Sequence, residues 1–311
     1  MTAGQITLHR LNQSGLLVFS GADAQSFLQG QLTCDVEGLA TGRSTYGAYC
    51  TPKGRILANF LLWRTGVDYL MQLPAPLCAP LQKRLSMYIL RSKVKAIDAT
   101  GSYRRLGLAG RGAAGIIENV FGDVPGGVHD VTQAGDAMLI QIGIDRYEIV
   151  AANEPGAALE EALKRHAKAS AEPSWQWLDI RDGIPWITPA TQEQFVPQMV
   201  NLDLIDGVSF SKGCYPGQEI VARAHYRGQV RQRMYRVHIA TDARVEPGDK
   251  LYSADMGGQS SGMIVNAARA PEGGCDALAV IHTSSADAGD VRWKSLGGPA
   301  LAFLPLPYAS R

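Results

Sequence analysis

Apolar residues fall at every fourth position from Leu77 through Leu81 and Leu85 to Ile89, which predicts a helix over about 76–91 with one buried face. Upstream, Leu16–Ser20 is a short apolar run. Gly21-Ala-Asp then turns the chain into a helix that ends near Gly30, with Phe27 and Leu28 inward. Ile56–Arg64 and Val67–Leu73 flank a Thr-Gly turn and read as a hairpin. Further strands are expected at 93–99, 103–109 and 137–150. A helix over 154–169 follows, opened by Glu154-Pro155 and supported by the pairs Glu160–Lys164 and Glu161–Arg165.

After Pro173 the pattern changes. Trp175, Trp177 and Trp186 cluster, and a loop rich in Pro, Thr and Gln runs to about 201. From residue 234, short strands alternate with Gly-rich turns: Met234–Ala240, Lys250–Ser253, Gly262–Ala267, Ala277–His282 and Ala300–Leu304. That spacing predicts a small antiparallel barrel or sandwich over 234–311, distinct from a first region of 1–233.

Composition narrows the class. The 311 residues are 46% hydrophobic, with 30 Lys+Arg against 29 Asp+Glu. Disorder as the main state is excluded, and so is a globally basic surface for nucleic acid or anionic lipid. The five cysteines, Cys34, Cys50, Cys78, Cys214 and Cys275, are widely spaced, with no C-x-x-C and no clustered histidines. A disulfide scaffold is therefore not expected, and no metal site is assigned. The N-terminus has no basic segment leading into an apolar one, and no run reaches about 18 apolar residues. The reading is a cytoplasmic protein with no membrane partner.

Gly110-Arg-Gly112-Ala-Ala-Gly115 fits G-x-G-x-x-G after the apolar Leu106–Ala109. No acidic residue closes a second parallel strand, so a glycine-rich turn is favoured over a nucleotide site. The densest constellation is Lys212-Gly-Cys214-Tyr215-Pro216-Gly217-Gln218-Glu219. Pro216 suits the first position of a helix over 217–224, with Cys214 in the turn before it, near unpaired N–H groups and Lys212. Those neighbours favour thiolate, which makes Cys214 the candidate functional thiol; the alternative is a small buried residue in a tight turn. Between 220 and 241, Arg223, Arg227, Arg231, Arg233 and Arg236 occur without an acid, interleaved with Tyr226 and Tyr235. Such a stripe suits RNA phosphates, the anionic tail of a folate, or a plain solvated face. The tryptophans read as core anchors, with Trp186 the exception that could line a ligand.

Lys212–Glu219 matches K-G-C-Y-x-G-Q-E, and on that motif the chain resembles the YgfZ family of folate-binding proteins. That family is related to the aminomethyltransferase (T-protein) of the glycine cleavage system. Phe195–Leu202 and Val221–Gly228 flank the signature in the same way, and Phe27–Val36 and Lys53–Ile56 have the family's look. The resemblance implies an α+β fold class, a multidomain GcvT-like fold with a ferredoxin-like α/β region at roughly 50–150 and a C-terminal antiparallel β-barrel. It implies tetrahydrofolate, or a one-carbon derivative, as cofactor. Iron–sulfur enzymes or their assembly factors would be the protein clients, with an indirect effect on tRNA modification; RNA is a second candidate partner.

The departures from the transferase are informative. Its G-G-I-x-D-D aligns with Gly54-Arg55-Ile56-Leu57-Ala58-Asn59, so Ala58 and Asn59 replace both acids. Its R-L-E-A-G aligns with Asp179-Ile180-Arg181-Asp182-Gly183, placing Arg181 where the glutamate holds the pterin, with Asp182 one residue away. An amide cannot serve as a base. The expectation is therefore an accessory protein, with a one-carbon transferase using Cys214, an RNA-binding module, and a thiol redox protein resolving through Cys34 or Cys50 as rivals. The resemblance implies that Lys212 supplies charge beside Cys214, while Tyr215, Gln218 and Glu219 shape the turn. Gln198, Asn201 and Trp186 would wall the pterin, and Arg223 and Arg227 would hold the glutamate tail.

Overall fold

Alternating apolar residues in Tyr103–Ala109 and Arg146–Ala152 set the first core. These strands run antiparallel with Leu108 opposite Tyr147 and Leu106 opposite Ile149, and all four side chains are buried with Leu8, Leu139, Ile117 and Leu163. The computed structural model describes residues 5–226 and 230–308. Its contacts gather in two compact units, residues 5–29, 36–45 and 60–175 in one and 30–35, 46–59 and 176–308 in the other.

A six-stranded sheet in the first unit runs Lys168–Ser170, Thr7–Arg10, Tyr103–Ala109, Arg146–Ala152, Ala137–Gly143, Val131–Ala134. Only its first pair is parallel. Tyr103–Ala109 is antiparallel to both neighbours, so Gly110–Gly115 does not sit at a parallel crossover, and the nucleotide reading falls to the turn. Gly110 takes a φ of +130°, and a Cβ there would lie 2.9 Å from the Gln5 carbonyl oxygen.

Two expectations change here. Residues 137–150 form two strands, because Asp145 adopts a φ of +55° and reverses the chain within an apolar run that hides the turn. The helix expected to reach 169 is Asn153–Leu163; Lys168–Ser170 instead pairs in parallel with the N-terminal strand.

A five-stranded sheet runs Ser44–Cys50, Ile56–Thr65, Asp68–Pro74, Ser14–Ser20, Lys95–Asp98. The expected hairpin is its second and third strands. The helix Ala75–Ile89 buries Leu77, Leu81 and Leu85, as their periodicity predicts. Ser44–Cys50 and Ile56–Thr65 each pass from one unit into the other.

In the second unit, an antiparallel sheet runs Val291–Trp293, Lys250–Ser253, Ser260–Arg269, Cys275–His282, Gln232–Ile239, Leu301–Leu304. Val237, Ile264, Ala279 and Ile281 fill its concave side. A bridge between Arg292 and Ala300 draws the edges together, so the expected barrel is a curled half-barrel. The helix Glu172–Arg181 was not expected: Trp175, Trp177, Leu178 and Ile180 point all round it, leaving no one-sided stripe.

One buried charge ties the first unit together. Glu160 is 3% exposed and meets Arg10 Nε at 2.7 Å and Lys164 Nζ at 3.1 Å, with Arg104 on its other oxygen. Lys164 also takes Glu161, so the anticipated Glu161–Arg165 pair is replaced. Burial opposes ionisation of Glu160, but the hydrogen bonds from Arg10, Arg104 and Lys164 outweigh it and hold the carboxyl at about 2 against 4.5. A depressed carboxyl contributes stability that is complete above its unfolded value and is lost as pH falls through the folded one. Glu160→Gln should cost about 2 kcal/mol at neutral pH, since it strands partly exposed cations. Urea unfolding at pH 7 and again at pH 3 should show the gap between variant and wild type shrinking at the lower pH.

Candidate functional site

Two glycines fix the site. Gly217 has a φ of +82°, and a Cβ there would fall 2.4 Å from the Thr51 carbonyl oxygen and 2.7 Å from the Gly54 Cα. Gly54, at a φ of +70°, would in turn strike Ile220 at 3.1 Å. The 51–55 turn is closed by Gly54 N–H donating to the Thr51 carbonyl (2.8 Å) and Thr51 N–H to the Arg55 carbonyl (2.8 Å). The segments Lys53–Ile56 and Lys212–Glu219 therefore cross backbone to backbone, a separation that only glycine allows.

Lys212 anchors the loop from its other end. Its ammonium donates to the Leu32 carbonyl at 2.6 Å and lies 4.9 Å from the centre of the Tyr215 ring. Thr33 braces the same segment, donating to the Gly207 carbonyl at 2.7 Å and accepting from Ala48 N–H at 2.8 Å. Tyr215 is buried, and burial pushes its phenol up. Burial likewise pushes the thiols of Cys34 and Cys50 up to about 12. Both are therefore neutral thiols at physiological pH. The Lys212 ammonium, expected to supply charge beside Cys214, reaches the Leu32 carbonyl and the Tyr215 ring.

Cys214 is exposed, while the other four cysteines are buried. The helix after it is Gln218–Tyr226, preceded by a turn in which Gln218 N–H reaches the Tyr215 carbonyl at 3.1 Å. Pro216 therefore does not open the helix, because the left-handed Gly217 stands between them. Cys214 lies four residues before the first helical position, beyond the reach of the first turn. Gly213, beside it, faces open space. Gln218 makes only long contacts to the Lys212 and Gly213 carbonyls, at 3.5 and 3.4 Å, and Glu219 is exposed.

The other residues expected at the site are held by their surroundings. Asn59, 1% exposed, donates to the Pro185 carbonyl at 2.7 Å and accepts Ile187 N–H at 2.7 Å. Trp186 donates its indole N–H to Asp179 at 3.0 Å, and its backbone is clamped by both ends of the Asn266 amide at 2.8 Å. Tyr46 meets Trp186 edge-on at 6.3 Å. Arg181 binds its neighbour Asp182 through two nitrogens, at 2.7 and 3.2 Å. Asn201 spends its amide on Met234, donating to the carbonyl at 2.8 Å. Gln198, fully buried, donates to the Val221 carbonyl at 2.6 Å and so braces the Gln218–Tyr226 helix, while its Oε1 has no partner. Gln31 Oε1 is a second buried acceptor without a donor. Gln31 was not singled out from sequence; its only signal was its place in Phe27–Val36.

The arginine stripe does not form one surface. Arg233 is held by Asp203 at 2.7 and 3.0 Å, and Arg236 by Asp276 at 3.4 Å. Asp276 also receives His238 at 2.8 Å and the Trp177 indole at 2.9 Å. Tyr235 stacks edge-on against Phe303 at 5.5 Å. Arg223 and Arg231 are exposed, and Arg227 lies outside the described residues. The acids that meet Arg233 and Arg236 come from elsewhere in the chain, which a local reading of charge cannot see.

Residues 5–168 match the family model described as the GCVT N-terminal domain. A tRNA-modifying protein YgfZ from Yersinia enterocolitica is 31% identical over 307 residues, spanning 98% of this chain and 93% of that protein. One from Yersinia pestis (strain Pestoides F) is 31% identical over 309 residues with the same coverage. The glycine cleavage system aminomethyltransferase T from Bartonella henselae shares the fold at a TM-score of 0.77, over 98% of this chain and 87% of that one, at 17% identity.

The glycine crossing yields a sharp contrast. Gly217→Ala should lose about 3 kcal/mol, from a strained φ and a carbonyl that cannot retreat. Gly213→Ala should change stability by less than about 0.5 kcal/mol. Thermal unfolding of the two variants side by side checks both values.

Proposed function

The chain belongs to the YgfZ family, and from that premise we propose that it is a tetrahydrofolate-binding accessory protein in the assembly or maintenance of iron–sulfur proteins. Its effect on tRNA modification is indirect, through enzymes that depend on such clusters. The observation that carries the reading is Asn59. Where the transferase has a carboxylate, this chain has an amide whose two ends are committed to the backbone at Pro185 and Ile187. Such a position positions the backbone and moves no proton.

The residues present suit a reduced folate. Its pterin edge offers N–H donors, and the second unit holds two buried amide oxygens, of Gln31 and Gln198, that lack any donor. Its ring needs an aromatic wall, which Trp186 and Tyr46 supply, with Asp179 fixing the indole. Arg223 remains available for the anionic tail. Bound tetrahydrofolate would supply a nitrogen able to carry a one-carbon unit. Lys212 and Gly217 hold the loop in shape, and Cys214 stands exposed on it as the functional thiol.

Isothermal calorimetry with tetrahydrofolate, run beside tryptophan fluorescence, should give a saturable single-site curve; no saturation in either would refute the folate reading. Asn59→Asp should not create a transferase. It sets a carboxylate oxygen against the Pro185 carbonyl and should cost about 2 kcal/mol, with no consumption of 5,10-methylene-tetrahydrofolate by mass spectrometry. Cys214→Ser should keep folate binding yet fail to rescue a strain lacking the family member, whereas full rescue would discard the thiol's role.

A further inference from the structure

Away from the arginine stripe, the first unit carries a cluster of exposed cations. Between Asp68 and Asp98 there is no acidic residue. Lys83, Arg91, Lys93 and Lys95 are all exposed there, and among the described residues none takes part in an ion pair. Interleaved with them are the largest exposed apolar side chains of the region: Leu90 at 87%, Met87 at 60% and Tyr88 at 48%, with Ile97 beside them.

Leu90 is informative. It caps the Ala75–Ile89 helix at a φ of +45°, in the left-handed half of backbone space where glycine is the ordinary choice. A leucine there is strained by its Cβ and displays its side chain to water. The patch is also rigid. Lys93 N–H donates to the Asp23 carboxylate at 2.7 Å, and Gln82 donates to the Ala96 carbonyl at 3.0 Å. The nearest acids are occupied by backbone: Asp23 by Lys93, and Asp98 by Thr100 N–H at 3.0 Å. Lysines on an edge strand such as Lys95–Asp98 discourage strand pairing, which accounts for Lys95 but not for Leu90, Met87 or Tyr88.

We propose that the end of the Ala75–Ile89 helix and the strand Lys95–Asp98 form a docking surface for an acidic protein partner, whose apolar side chains seat on Leu90, Met87 and Tyr88 inside a rim of carboxylates facing Lys83, Arg91, Lys93 and Lys95. Charge complementarity sets the sign of the partner. An apolar centre with methionine and tyrosine, rimmed by cations, is the composition of a protein interface. Phosphates would leave Met87, Leu90 and Ile97 uncovered. A membrane-surface helix would need a free apolar face, whereas Leu77, Leu81 and Leu85 are already buried in this chain's own core. The proposal stands without the folate reading.

The test uses the full chain and a fluorescein-labelled random copolymer of glutamate and tyrosine, followed by anisotropy. Wild type should bind at low salt, weaken as salt rises, and prefer the copolymer to polyglutamate by about tenfold. Lys93→Glu with Lys95→Glu, and separately Leu90→Ser, should each weaken binding by about tenfold with unchanged melting temperature. Absence of copolymer binding, equal binding of polyglutamate, or indifference to both variants overturns the proposal. So does tighter binding of bulk tRNA or phosphatidylserine vesicles that the same variants abolish, which would make the patch a nucleic-acid or lipid surface.

Discussion

The approach of Gly217 to the Thr51 carbonyl and to Gly54 is the constraint on which the site depends. Backbones that meet at this distance admit no side chain on either strand, so the 51–55 turn and the 212–219 loop can adopt few relative positions. Lys212 closes the arrangement from the opposite end by binding the Leu32 carbonyl, and Thr33 ties that segment to Gly207 and Ala48. Three stretches distant in sequence are thereby held as one framework, with the exposed Cys214 at its rim. The lysine braces the loop through a carbonyl and a ring.

The same framework holds Asn59. Asn59 sits on a strand whose neighbours are fixed independently, with Ile56 N–H donating to the Phe195 carbonyl and Glu193 N–H to the Ile56 carbonyl, both at 2.9 Å. An amide there can donate and accept at once, which is what the Pro185 and Ile187 backbone requires. A carboxylate can only accept. Both ends of the Asn59 amide thus brace the Pro185–Ile187 backbone.

Much of this was legible in the sequence because it is local or repeats with the period of its element. Leu77, Leu81 and Leu85 announced their helix, and the hairpin was bounded by Thr-Gly. What escaped depends on partners far along the chain. The helix Glu172–Arg181 distributes its apolar residues all round and so shows no period. Arg233 and Arg236 read as a basic stripe because Asp203 and Asp276 lie outside the window in which the charge was counted. Lys212 looked like a thiol's neighbour, yet a carbonyl 180 residues upstream claims it. The cations of 83–95, scattered among apolar residues, drew no notice until their exposure and lack of partners were known.

We propose that the framework built on Gly217, Lys212 and the Asn59 brace holds a reduced folate. Hydrogen–deuterium exchange of the full chain with and without tetrahydrofolate tests it most directly, because it reports where the ligand acts. Tetrahydrofolate should slow exchange in 30–34, 184–187, 198–201 and 210–219 and leave the 83–97 segment unchanged. Folate binding that leaves all four segments exchanging as in the free protein would contradict it.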